Sequence, residues 1–416
     1  MALRVVVTGL GLVTPVGVGA RPTWEALLAG TSGFHEVESF DTSRHTVHVG
    51  AEVRGFHAED HLRRLDPATL GRASQLAAAA ARMAWADAGL DPGGLDPGAD
   101  GGGGLDPKRA GVAMGTTSGE PREVERLDDR LIAGEPERVG PEFLSRYPCH
   151  NITEHVACEL GLLGPSIMIP TACAAGNYAI AHAFDSLRLG RVELMLAGGA
   201  DCFSRITYTG FARLGAIAPE RCQPFDRDRK GMIPGEGAGV LVLEPLERAR
   251  ARGARIYAEV AGCGLSCDAH HMTAAHPEGD GAVRAMRQAL ADSGMEPGRV
   301  SYVSAHGTGT ATNDRLETLA AKRIFGAAAQ RIPMSSIKSM IGHTMGAASA
   351  IEAAVCALAI SHDRIPPTMN LEQPDPECDL DYVPNTCREH RVDVAMSNAY
   401  AFGGNNASLM LKKVAA

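Results

Sequence analysis

Cys173 sits in the run Pro170-Thr171-Ala172-Cys173-Ala174-Ala175-Gly176-Asn177-Tyr178. Apolar residues recur at helical spacing beyond it, at Ile180, Ala183, Phe184 and Leu187. A thiol at the start of a helix feels the positive end of the helix dipole, which favours thiolate, the nucleophilic form. Small neighbours leave room for a substrate carbonyl. A buried, unreactive cysteine is the commoner occurrence, so the thiol alone does not define a site. Two later segments supply partners. One is Ser304-Ala305-His306-Gly307-Thr308-Gly309-Thr310; the other runs from Ser335 through Lys338 to Gly342-His343-Thr344. Each sets a histidine in a Gly/Ser/Thr loop, and loops at strand ends are where α/β folds hold catalytic groups.

The elements that must position these residues alternate between strand-like and helix-like runs, which predicts α/β layering. Strands are expected at 5–7, 110–114, 194–197, 240–243, 257–261 and 300–303. Helices are expected at 75–88, 123–132, 282–293 and 347–360, with Gly89 and Gly294 placed to end the first and third. Residues 91–107 are rich in Gly, Asp and Pro without a period, and read as an exposed flexible loop. No internal repeat is visible.

Two motifs invite other chemistry. Gly9-x-Gly11 follows a strand, but Thr14 stands where a dinucleotide fingerprint needs its third glycine, so a tight turn into the first helix is expected. Cys263, Cys267, His270, His271 and His276 are metal-ligand types, but their spacing fits no standard zinc knuckle, and no metal is expected. The chain of 416 residues is 45% apolar, enough for a substantial core. A net charge of -9 with no Lys/Arg block argues against nucleic-acid binding. No apolar stretch is read as reaching membrane-spanning length, and the N-terminus is no secretory signal. Ten scattered cysteines suit a reducing, cytoplasmic setting.

One thiol with two distant histidines resembles the Cys-His-His triad of the β-ketoacyl-acyl-carrier-protein synthases. The resemblance covers nearly the whole chain. It includes Val7-Thr8-Gly9-Leu10-Gly11, Pro224-Phe225-Asp226-Arg227-Asp228-Arg229, Gly235-Glu236-Gly237-Ala238-Gly239 and Phe402-Gly403-Gly404-Asn405-Asn406. It implies the thiolase fold, a duplicated five-layered α-β-α-β-α architecture with mixed sheets. Residues 1–255 would carry the nucleophile and residues 256–416 both histidines. It implies decarboxylative Claisen condensation: Cys173 takes an acyl group, and His306 and His343 donate N–H to the enolate formed when a malonyl thioester loses CO₂.

By the same resemblance, Lys338 and Glu317 form a buried pair beside the histidines, and Phe402 gates the pocket. Thr308, Thr310 and Thr273 are implied to hold the phosphopantetheine arm. Thr117 and Ser118 would line the acyl pocket across a dimer interface. Arg63 and Arg64 match a basic pair that docks the acidic acyl carrier protein. No resident cofactor is implied, since phosphopantetheine arrives on the carrier. Glu352, on the helix after His343, holds a structural cation or hydrogen-bonds backbone, the second being favoured. Two subtypes compete: an elongating fatty-acid synthase of the homodimeric type II class, and a type II polyketide ketosynthase-alpha subunit paired with a chain-length factor. Asp375-Pro376-Glu377-Cys378-Asp379-Leu380-Asp381-Tyr382 resembles the polyketide subunit. Cys173-Ala174-Ala175-Gly176 departs from its usual Cys-Thr-Ser-Gly, which points to a less common polyketide or polyene branch. A thiolase-fold protein that binds acyl chains without condensing them is the reading from another class. It would be expected to lose Cys173 or a histidine.

Overall fold

The computed structural model describes residues 3–90, 104–135 and 139–415. With the helices and strands outside the two repeated layers left aside, the chain begins with β1 (Val5–Thr14), α1 (Arg72–Asp87), β2 (Ala110–Gly115) and α2 (Asn151–Leu160). It continues with β3 (Ser166–Ile169), α3 (Ala175–Arg188), β4 (Leu194–Asp201) and β5 (Gly237–Pro245). The same order then returns. It comprises β6 (Ala258–Cys267), α4 (Asp280–Ser293), β7 (Tyr302–Ser304), α5 (Ala311–Phe325), β8 (Met334–Ser335), α6 (Ala348–His362), β9 (Val394–Tyr400) and β10 (Asn405–Lys412).

Strand pairing repeats as well. In the first half β1–β5 and β5–β4 are antiparallel, while β4–β2 and β2–β3 are parallel. In the second, β6–β10 and β10–β9 are antiparallel, while β9–β7 and β7–β8 are parallel. β1 and β6 join the two sheets antiparallel, at Val5–Val260, Val6–Glu259 and Val7–Ala258. Helices α3 and α6 pack on each other between the sheets, α1 and α2 cover one outer face, and α4 and α5 cover the other. The expected α-β-α-β-α layering results.

Burial on both sides explains the composition of the central helix. α6 is apolar all round, and its residues from Ala348 to Ile360 are buried. This corrects one expectation: Met345–His362 is long and apolar enough to cross a membrane, and it serves here as the buried core helix. A second correction concerns Gly9 and Gly11. They lie inside β1, a ten-residue buried strand, and not in a turn. A Cβ on Gly9 would fall 2.2 Å from the Ala84 carbonyl oxygen, and one on Gly11 1.8 Å from that of Ala80. The glycines let α1 rest directly on the strand. The loop expected at 91–107 lies mostly outside the described residues; its end is ordered, with Leu105 buried and a 3₁₀ turn over Pro107–Arg109.

Candidate active site

The duplication sets the site. Cys173 lies in the 3₁₀ turn Ala172–Ala174 between β3 and α3; His343 lies at the matching place, between β8 and α6. His306 follows β7, and Phe402 follows β9. Because α3 and α6 pack together, their N-terminal ends meet. Cys173, His306 and His343 are buried, and one side-chain atom of each lies within 4.8 Å of those of the other two. The imidazole rings are 5.5 Å apart and nearly perpendicular, at 83°. Ala172 has φ of +51°, a strained value for a residue with a Cβ, and it turns the chain so that the thiol faces the histidines.

Hydrogen bonds assign the tautomers. The Met345 N–H donates to His343 Nδ1 at 3.1 Å. Lys338 Nζ, which has only donors, lies 3.4 Å from His306 Nδ1. Both Nδ1 atoms therefore accept, and both Nε2 atoms carry hydrogen. Burial first, and the nearby Lys338 charge second, hold both imidazoles well below their usual pKa. Two neutral N–H donors thus face the space beside the thiol.

The thiol itself departs from expectation. Burial pushes Cys173 up to about 11, against smaller opposing effects of Lys338 and the backbone N–H groups of Phe402 and Cys173. Desolvation is the largest influence on the thiol in the free enzyme. The same two N–H groups point at the sulfur, where an acyl oxygen would also collect them.

Lys338 does not pair with Glu317. Its Nζ meets the carboxylate of Glu352, both being buried. Glu317 accepts instead from the backbone N–H groups of His306 and Gly307, each at 2.8 Å. It is buried on α5 directly behind the His306 loop, so those amides reach it first. Burial raises Glu317 to about 8 and Glu352 to about 7. Glu352 therefore takes a lysine partner in place of the backbone bonds favoured for it, and its Oε2 has no hydrogen-bond partner.

A cavity of about 250 Å³ opens over the three residues. Thr273, Thr308, Thr310 and Phe402 line it, and the Thr308 and Thr310 hydroxyls are 2.8 Å apart. Phe402 is 40% exposed and leans on Phe211, with centroids 5.8 Å apart. Thr117 and Ser118 are not in the lining; their amides donate to Asp201. Arg63 and Arg64 are exposed, and also stand outside the lining, on a loop whose amides are held by Glu159. Cys263, Cys267, His270, His271 and His276 bring no three ligand atoms together; among the described residues only Cys173, His306 and His343 do so. A cation there would meet the Lys338 charge. Sequence reasoning missed Tyr400, whose buried hydroxyl is unpartnered at the cavity wall, and Asp268, bonded at 2.8 Å to Asn406 on the same wall. It also missed Asp201. A lone acid closing an apolar strand was the signal for it.

A buried thiol beside two neutral N–H donors is equipped to accept an acyl group and to stabilise an enolate. Comparison with known proteins agrees. The family model described as Beta-ketoacyl synthase, N-terminal domain matches residues 2–249, and that described as Beta-ketoacyl synthase, C-terminal domain matches residues 257–372. A 3-oxoacyl-[acyl-carrier-protein] synthase 2 of Synechocystis sp. is 42% identical over 99% of this chain and 98% of its own. The solved structure of the ishigamide ketosynthase/chain length factor superposes with a TM-score of 0.94 at 42% identity, covering 100% of both chains. A type II polyketide synthase ketosynthase bound to a hexaketide, in complex with its acyl-carrier protein, gives 0.90 at 33% identity, also over 100% of both chains. The chain belongs to the β-ketoacyl synthase family, and is a condensing acyltransferase.

Proposed function

We propose that this ketosynthase extends acyl chains in type II polyketide or polyene biosynthesis, using malonyl units borne on an acyl carrier protein. The observation that carries the chemistry is the convergence of the Cys173 thiol with one ring nitrogen from each of His306 and His343, all within 4.8 Å of one another. The Cys173 sulfur attacks the acyl thioester carbonyl. The carbon–sulfur bond to the pantetheine breaks, and the thiol proton leaves with the pantetheine sulfur. The malonyl thioester then loses CO₂, and the electron pair left behind becomes an enolate held by His306 and His343. Its carbon attacks the acyl-Cys173 carbonyl, whose oxygen collects the N–H groups of Cys173 and Phe402. The bond to Cys173 breaks, its sulfur takes up a proton from solvent, and the chain leaves on the malonyl-derived pantetheine thioester two carbons longer.

Thr308, Thr310 and Thr273 hold the pantetheine along the cavity, and Phe402 separates the acyl and malonyl sides. Phosphopantetheine arrives with the carrier, so no resident cofactor takes part. Residues 1–255 and 256–416 act as two thiolase-like halves of one cytoplasmic enzyme. The polyketide reading is supported by the two ketosynthase structures above, one with a chain length factor and one with a carrier protein. Identity of 42% to a 3-oxoacyl-[acyl-carrier-protein] synthase 2 favours a second reading, a homodimeric fatty-acid elongation enzyme. The test is purification alone and together with a chain-length-factor-like subunit, followed by assay with malonyl and acyl carrier proteins. A stable heterodimer that extends the acyl chain through repeated malonyl condensations supports the first reading. An active homodimer making saturable β-ketoacyl products sinks it.

A further inference from the structure

Asp201 ends β4 with no exposed surface, between two loops that reach the site from opposite halves. Four neutral donors hold its carboxylate. From the loop after β2, the Thr116 hydroxyl donates to Oδ1 at 2.9 Å, the Ser118 N–H to Oδ1 at 3.0 Å, and the Thr117 N–H to Oδ2 at 2.7 Å. From the turn after His343, the Gly346 N–H donates to Oδ2 at 2.7 Å. Hydrogen bonds to a charged acceptor are among the stronger ones, and a buried carboxylate that lost them would be left unsatisfied.

The turn it grips orients an imidazole. Met345 has φ of +54°, an uncommon value for a side chain with a Cβ, and its N–H is the donor to His343 Nδ1. Gly346 follows directly. A Cβ on Gly346 would lie 2.6 Å from the Thr116 carbonyl carbon and 2.7 Å from Asp201 Oδ2, so the two loops touch at this point. The other side of His343 is pinned by backbone bonds, His343 N–H to Ile233 and Gly235 N–H to the His343 carbonyl. The remaining freedom lies in the strained Met345–Gly346 step, and Asp201 is what closes it.

We propose that Asp201 is a positioning residue: its carboxylate ties the 116–118 loop to the Met345–Gly346 turn, and so keeps His343 with Nδ1 accepting and Nε2–H toward the reacting carbonyl. The inference rests on the role given above to His343 as an enolate donor. A residue that orients a donor acts on the step that donor serves, here decarboxylation, more than on acyl transfer to Cys173.

The experiment measures both half-reactions, decarboxylation of a malonyl-pantetheine thioester and self-acylation by an acyl thioester, in the parent and in Asp201→Asn. The parent's decarboxylation against that of His343→Ala reports on the assigned role of His343; the variant ratios report on Asp201. Asp201→Asn should lower kcat for decarboxylation about tenfold or more with KM changed less than about twofold, as expected of a misplaced donor. Self-acylation should fall less than about threefold. Thr116→Val removes one donor on the far loop and leaves the Gly346 bond, so decarboxylation should stay within about twofold. In ¹⁵N-histidine spectra the parent His343 should appear as the Nε2–H tautomer, with Asp201→Asn moving toward a mixture. Equal loss of both half-reactions with an unchanged His343 spectrum would overturn the proposal. A parent His343 in the Nδ1–H form would overturn it too, whether or not Asp201→Asn folds.

Discussion

The Lys338 ammonium stands between the Glu352 carboxylate and, 3.4 Å away, Nδ1 of His306. A buried ion pair is thereby joined to the tautomer of an active-site histidine. Lys338→Met leaves Glu352 as an unpaired buried carboxylate, and should destabilise the fold by about 3–5 kcal/mol. Adding Glu352→Leu should recover much of that stability. Decarboxylation should stay depressed in both, because His306 Nδ1 has lost its donor. Denaturant unfolding with parallel decarboxylation assays checks this; full recovery of activity in the double variant would sever the ion pair from catalysis.

Cys173→Ala should abolish the covalent acyl intermediate and leave malonyl decarboxylation, since the thiol and the histidines serve different steps. Intact-protein mass spectrometry after incubation with an acyl thioester should find no adduct. An adduct at another cysteine refutes the assignment of the nucleophile.

His306→Ala and His343→Ala each remove one enolate donor, and each should slow decarboxylation by about 10²-fold or more. Self-acylation should survive better, especially in the His306 variant. Normal decarboxylation in both variants would end the two-donor account.

The Cys173 thiol, raised to about 11 by burial, sets a pH dependence. Burial disfavours the charged form, so below that value the thiolate fraction grows about tenfold per pH unit. Alkylation of Cys173 by iodoacetamide should therefore climb steadily from pH 7 to 9 without a plateau. Lys338→Met removes a charge that favours thiolate, and should slow alkylation at each pH. A plateau below pH 9 would contradict the desolvated thiol.

Arg63 and Arg64 are exposed on a chain of net charge -9. Reversing both to Glu should raise the apparent KM for carrier-bound substrate while sparing a small pantetheine thioester. The salt dependence should weaken too, because such attraction is screened within about 10 Å at 0.1 M salt. If carrier-bound and free thioesters respond alike, docking uses another surface.

Much of this protein is legible along the chain. Cys173, His306 and His343 announce themselves by residue type and by the small, flexible neighbours that local backbone geometry demands. α6 and most strands follow from apolar runs, which are local properties. Partner choice is not local. Lys338 has Glu317 and Glu352 within reach of one site, and only the packing of α5 and α6 decides that Glu317 is taken by the amides of His306 and Gly307. Gly9 and Gly11 look like a turn until α1 is laid across β1. The duplication is hidden because equivalent elements share topology and pairing sense while carrying different side chains: Cys173 and His343 occupy matching places. The depth at which the thiol sits was likewise set by tertiary burial, which raises its pKa against the opposing effects of Lys338 and nearby backbone N–H groups.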